Sequence, residues 1–356
     1  MELLCETVGA AFGRLRPHCL RKRGHGGKWL LEEFQRDADR TTDVWVDAVT
    51  PSARWGRAYF AAQAIAGFAW WTAVFVSPAV REATLGNLDP IAVAVFDIPL
   101  FVMASALAAL GVRAAAVVST GWTGVVAVAL AVYATITTEA GWGVLWMGAA
   151  TAGSLIALSL VMLGRVPTAW IIGGPFAFRP ASSRPKAATH VASTFGQIVL
   201  FWGFFLVVVP WAIAFFEQRW GLALPFPPFA VPVGAAVLVL ASALGIWSAA
   251  VMSTLGDGTP LPAAMPNRLV IAGPYRWIRN PMAVAGIVQG AAVGIILHAW
   301  LVVAYAVVGS LVWNYAVRPL EETDLKKRFG EDFQHYRSTV RCWIPRVPKS
   351  QRTQRR

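Results

Sequence analysis

The chain has 356 residues, of which 56% are hydrophobic and only 14% charged, with a mean hydropathy of +0.54. These values exclude an ordinary soluble globular protein. The net charge of +12 is spread as +2 over residues 1 to 57, +4 over 165 to 192 and +6 over 318 to 356, a pattern suited to anionic lipid headgroups and not to nucleic acid. Cys5, Cys19 and Cys342 are odd in number and lie in charged terminal regions, so neither a disulfide framework nor zinc spacing is expected.

From the N-terminus, residues 1 to 57 form a charged cytoplasmic segment. With Glu2, Glu6 and the basic group Arg21, Lys22, Arg23 they lack the apolar run of a cleavable signal peptide. The intervals 58 to 80, 114 to 138, 140 to 164, 187 to 216, 220 to 256 and 280 to 317 contain no Asp, Glu, Lys or Arg. Spanning ~30 Å takes roughly twenty residues, which places helices at 58–79, 91–111, 115–137, 143–164, 193–216, 230–252, 282–297 and 299–317. The first four form a membrane region, 58–164, and a basic, proline-rich cytoplasmic linker, 165–192, separates them from a second unit at 193–345. A basic tail, 346–356, follows.

The resulting fold class is an all-α polytopic membrane protein with about eight transmembrane helices and a C-terminal helical hairpin followed by a cytoplasmic amphipathic helix. Loop charge supports it independently: with the N-terminus inside, 29 Lys and Arg fall on the cytoplasmic side and only Arg81 and Arg219 on the other. Both termini are thus expected in the cytoplasm, in the cell (inner) membrane. Residues 280 to 317 are too long for one crossing and barely enough for two, so they read as a tight hairpin turning near His298.

The loop entering that hairpin carries the first chemical signal. Asn280 before Pro281 is a helix start, because proline suits the first helical position and Asn caps it. Free N–H groups there, beside Arg276 and Arg279, suit an anion as well as lipid phosphate. Beyond the hairpin, Glu321, Glu322 and Asp324 follow Pro319, Lys326 to Arg328 come a turn later, and Gly330 is a stop. Glu322 with Lys326 and Asp324 with Arg328 are i,i+4 pairs, so helix design accounts for these charges without any ligand.

Residues from about 187 to 345 resemble the bacterial branch of the isoprenylcysteine carboxyl methyltransferase and phospholipid methyltransferase superfamily. The matching pieces are Phe201-Trp-Gly-Phe-Phe-Leu with Pro210, Gly258-Thr-Pro, Gly273-Pro-Tyr-Arg, Arg279-Asn-Pro-Met, and Arg318 with Glu321-Glu322, Leu325, Phe329-Gly330, Tyr336 and Ile344-Pro345. The resemblance implies S-adenosylmethionine-dependent methyl transfer to a lipophilic acceptor, without a metal. It implies donor binding by Gly273, Tyr275, Arg276, Arg279, Asn280, Pro281, Glu321 and Glu322, with Arg279 and Asn280 beside the chemistry. On this reading Arg279 and Glu322 hold opposite ends of one donor. Where the family commonly has His-Pro-x-Tyr this chain has Asn280-Pro-Met-Ala283, and an amide is no base at neutral pH.

Two rival readings stay open, a sterol-reductase-like membrane oxidoreductase using NADPH and a non-catalytic scaffold or transporter built on the first four helices. Asp97, the acid inside the second span, is either functional or solvated near the interface. Glu139 reads as a loop acid, and His190 and His298 lack partners at metal spacing.

Overall fold

In the computed structural model, residues 53–168, 196, 199–256 and 266–345 are described. The linker, the Gly258-Thr-Pro piece and both charged ends of the chain lie largely outside them. These described residues belong to one compact unit and are helical, without strand.

Seven described helices are long and apolar enough to cross a membrane, and an eighth is shorter. They are α1 (Ala53–Val76), α3 (Pro90–Ala109), α4 (Arg113–Thr137), α5 (Gly141–Leu163), α6 (Val199–Arg219), α7 (Ala230–Leu255), α8 (Pro281–Ile296) and α9, which starts at Trp300. A short helix not expected from the sequence, α2 (Pro78–Leu85), precedes α3; Ser77 caps it and Pro78 occupies its first turn. The hairpin of α8 and α9 turns at His298, whose φ is +54°. With 16 residues, α8 reaches about 24 Å and falls short of the ~30 Å slab.

The helix that begins at Trp300 departs from expectation at its far end. No break precedes Pro319: α9 (Trp300–Val312) passes through a π segment, Trp313–Val317, directly into α10 (Arg318–Thr339). Proline lacks an N–H, and its ring crowds the carbonyl four residues back. For Pro319 that carbonyl belongs to Tyr315, inside the widened π turn, which lets the helix continue. The same device recurs at Pro210 after Phe204–Val208, and Pro99 lies inside Ile98–Met103. From Trp300 to Phe329, before Gly330 interrupts it, the helix runs about 45 Å, well beyond the ~30 Å apolar slab, so the charged α10 extends beyond the bilayer.

Small residues hold the C-terminal crossings together. Ala249, Ala285 and Ala292 are fully buried, and a Cβ at Gly294 would come within 2.7 Å of the Val303 backbone nitrogen. In lipid, where no hydrophobic force draws helices together, such close backbone approach provides the packing.

The two groups of helices meet through Arg219 and Trp220. Arg219 Nε and Nη2 donate to the carbonyls of Thr135 (2.6 Å) and Ile136 (3.1 Å), and Trp220 Nε1 donates to Thr135 Oγ1 (2.9 Å). This puts the α4–α5 turn, α2 and the α6–α7 loop at one end of the bundle. Because α7 runs back across, the loop at 266–280 and α10 are at the other.

Candidate active site

The second end of the bundle holds a cavity of about 350 Å³, within the roughly 300–1,000 Å³ of small-molecule sites. Its floor is set by local sequence. Gly273, with φ +54°, opens a tight turn at Gly273–Arg276, and a Cβ there would meet Val251 Cγ2 at 2.8 Å. Only glycine combines that dihedral with that space. The turn buries Tyr275, whose carbonyl accepts from Tyr336 Oη at 2.7 Å. Asn280 then caps α8 as its sequence predicts, accepting from the Ala283 N–H at 3.2 Å, with Pro281 in the first turn.

The charged wall comes from α10. Arg279 Nη2 lies 3.2 Å from Glu322 Oε1, and Glu322 also faces Arg337 Nε at 3.4 Å and Arg318 Nε at 4.0 Å. Glu322 therefore answers three guanidinium groups and not Lys326. The other expected pair does form, Asp324 with Arg328 at 3.3 Å. The residues expected at opposite ends of a ligand, Arg279 and Glu322, are in direct contact.

Arg337 reaches Glu322 because Gly330, with φ +53° and ψ −125°, breaks α10 and turns its last stretch back. The expected stop is present, and the helix resumes beyond it. Phe333, Tyr336 and Val340 then pack on Leu269, Leu325 and Phe329 and close the cavity. Arg279 is further held by its N–H to the Arg341 carbonyl (3.0 Å) and Nη1 to the Arg337 carbonyl (3.3 Å).

Glu321 accepts from Asn280 Nδ2 at 3.3 Å. Desolvation among protein atoms, reinforced by the neighbouring charges of Glu322 and Asp324, pushes its carboxyl up to about 7. Burial likewise raises the Tyr275 and Tyr336 phenols, keeping both protonated. Two buried donors, Arg279 Nε and Arg318 Nε, have no hydrogen-bond partner. Both residues line the cavity, which leaves an unsatisfied demand for an acceptor there.

Of the sequence candidates, Tyr275, Arg279, Asn280, Glu321 and Glu322 line this cavity, whereas Gly273 and Pro281 shape the backbone beneath it and Arg276 is exposed outside it. Arg337 was missed because its contact depends on the fold-back at Gly330. Trp202 and Cys342 also line the site. Among the described residues no group of three or more His, Cys, Asp or Glu is arranged to hold a metal ion.

Comparison with known families bears on this geometry directly. Residues 229–332 match the family described as phospholipid methyltransferase. The match lies within the superfamily that the motifs resemble. Comparison with curated proteins finds none that matches. The methyltransferase-family stretch begins at α7, contains the whole hairpin, Asn280, Glu321 and Glu322, and ends two residues past Gly330. It leaves out α1 to α6 and, at the other end, the returning Tyr336 and Arg337. The chain therefore carries a methyltransferase-family domain set among membrane-crossing helices.

Proposed function

We propose that this domain transfers a methyl group from S-adenosylmethionine to a lipophilic acceptor at the cytoplasmic face of the inner membrane, with both termini on that side. The observation that carries the reading is the contact of Arg279 with Glu322 beside two buried guanidinium nitrogens that lack acceptors. The amino-acid end of the donor bears its ammonium and its carboxylate on one carbon, so a site for it needs an acid and a base side by side. Glu322 and Arg279 are so arranged, and the Nε groups of Arg279 and Arg318, which make no hydrogen bond, suit the carboxylate. On this reading both groups serve one end of the donor and not its opposite ends.

When bound, the donor supplies an electrophilic methyl on a sulfonium that is its own leaving group. The chain's residues then have to align, exclude water and accept a proton. Phe201 and Trp202 of α6, with Trp313 and Val317 of the π segment, carry the cavity wall up into the crossing helices. An acceptor dissolved in the bilayer can approach along that wall. Asn280, in place of the usual imidazole, orients Glu321, and a carboxyl at about 7 is matched to taking a proton near neutral pH. No observation favours the reductase or scaffold readings. Calorimetric titration of the detergent-solubilised protein tests the donor: S-adenosylmethionine should bind and NADPH should not, and the reverse would overturn the assignment.

A further inference from the structure

A second cavity, of about 1260 Å³, lies among α1 to α5, at the end of the bundle opposite the methyltransferase site. Its lining is overwhelmingly apolar, with aromatic faces from Trp70, Trp122, Trp142 and Trp146. Among the described residues that line it, the charged side chains are two acids, Asp89 and Asp97, with no Lys, Arg or His. Asp89, itself exposed, caps α3, its Oδ1 accepting from the N–H groups of Ile91 (2.8 Å) and Ala92 (3.0 Å). Asp97, eight residues further along the same helix, is 2% exposed.

Asp97 is addressed only by neutral donors. Trp71 Nε1 donates to Oδ2 at 2.8 Å and Trp122 Nε1 to Oδ1 at 2.7 Å. Both oxygens accept an indole N–H, and neither indole supplies a charge to balance an ionised carboxyl. No ion pair forms to Asp97 among the described residues. An uncompensated buried charge in a membrane is expensive, and an intramembrane acid is a functional feature by default. The structural role of holding Trp71 and Trp122 would be served by an amide or a hydroxyl at far lower cost.

We propose that this cavity binds a lipophilic amine, its ammonium group against Asp97 and its apolar body along the tryptophan-lined wall. A cation is called for by two acids without a base, and aromatic faces attract it further. A hydrocarbon body is called for by the remaining wall. A phospholipid fits less well, because its phosphate would meet carboxylates and no basic group. The site is separate from the methyltransferase cavity, and its occupancy does not depend on methyl transfer.

Three probes with one twelve-carbon chain separate charge from hydrophobicity: dodecylamine, dodecanol and dodecanoate. Binding is measured at pH 7 with radiolabelled probe on the full chain in lipid nanodiscs, with empty nanodiscs as the blank. Dodecylamine should bind saturably and at least tenfold more tightly than the alcohol or the acid. Asp97→Asn should remove that preference. Ala129→Trp, which fills the cavity from α4 without touching Asp97, should abolish saturable binding while the thermal unfolding profile stays as in the native chain. Equal binding of the three probes would overturn the proposal, as would an amine preference that survives Asp97→Asn in folded protein or saturable binding that survives Ala129→Trp.

Discussion

Arg279 and Glu322 touch at 3.2 Å although 43 positions separate them in the chain. One stands before the membrane hairpin and the other beyond it, so the contact exists only when α8 and α9 fold against each other. Glu322 is the hub, because Arg318 and Arg337 face the same carboxylate. Removing it would leave three guanidinium groups together, which is worse than losing a single pair.

That asymmetry gives the first prediction. Glu322→Lys and Arg279→Ala should each weaken S-adenosylmethionine binding by about 2 to 3 kcal/mol, as expected for a charge-assisted bond in a partly buried site. Asp324→Ala breaks a half-buried i,i+4 pair away from the donor and should cost only about 0.5 kcal/mol, in stability and not in affinity. Calorimetric titration of the three variants checks the order; equal small losses at all three would mean that the acidic pair is only helix design.

Glu321 gives a pH dependence. Its carboxyl is raised from 4.5 to about 7 in the folded chain, so between those values the folded state holds a proton that the unfolded state has lost. Its contribution therefore favours folding most below pH 4.5 and declines as pH rises toward 7. Methyl transfer should move the opposite way, rising through pH 7 as Glu321 ionises. Glu321→Gln should flatten that rise and remove the corresponding slope from the unfolding temperature. A rate profile unchanged by Glu321→Gln would take Glu321 out of the chemistry.

Gly330→Ala should lower donor affinity from a distance. Nothing lies within 4 Å of a Cβ at this position, so the cost is conformational, about 1 kcal/mol or more for an alanine held at positive φ. Relief of that strain would straighten α10 and withdraw Arg337 from Glu322 and Tyr336 from the Tyr275 carbonyl. Thermal unfolding and donor titration should both fall. A loss of stability with unchanged affinity would show that the returning stretch does not complete the site.

The described residues that line the cavity facing the hairpin all fall between 201 and 342. A chain beginning near Arg184 and folded in nanodiscs should thus bind S-adenosylmethionine with the affinity of the full chain. Lost binding in a folded truncation would assign the first four crossings a part in the pocket.

What the sequence discloses here is local. The cap at Asn280, the stop at Gly330, the pair of Asp324 with Arg328 and the turn at His298 each depend on neighbours within a few residues, and each forms. The unbroken passage through Pro319 was not legible, because proline ordinarily argues for a break and only the π turn at Trp313–Val317 removes the clash. Arg337 on Glu322 and the indoles on Asp97 are tertiary contacts across separate helices, which no periodicity encodes. Asp97 could be flagged as a costly intramembrane acid, but the cavity it lines comes from the spacing of five helices.

Reporter fusions test the orientation. Signals after Arg165 and after Arg356 should be cytoplasmic and a signal near Arg219 should not, following the 29 to 2 division of Lys and Arg. A periplasmic signal at Arg356 would put the Arg279 and Glu322 cavity on the side that lacks the donor.

Methyl transfer itself is the most direct test. The purified chain in nanodiscs is incubated with methyl-labelled S-adenosylmethionine and a lipid extract, and the label is followed into the organic phase. The account predicts a labelled lipophilic product that forms with the native chain and is lost with Glu322→Lys. Label that never enters the organic phase, or that enters it equally with Glu322→Lys, would contradict it.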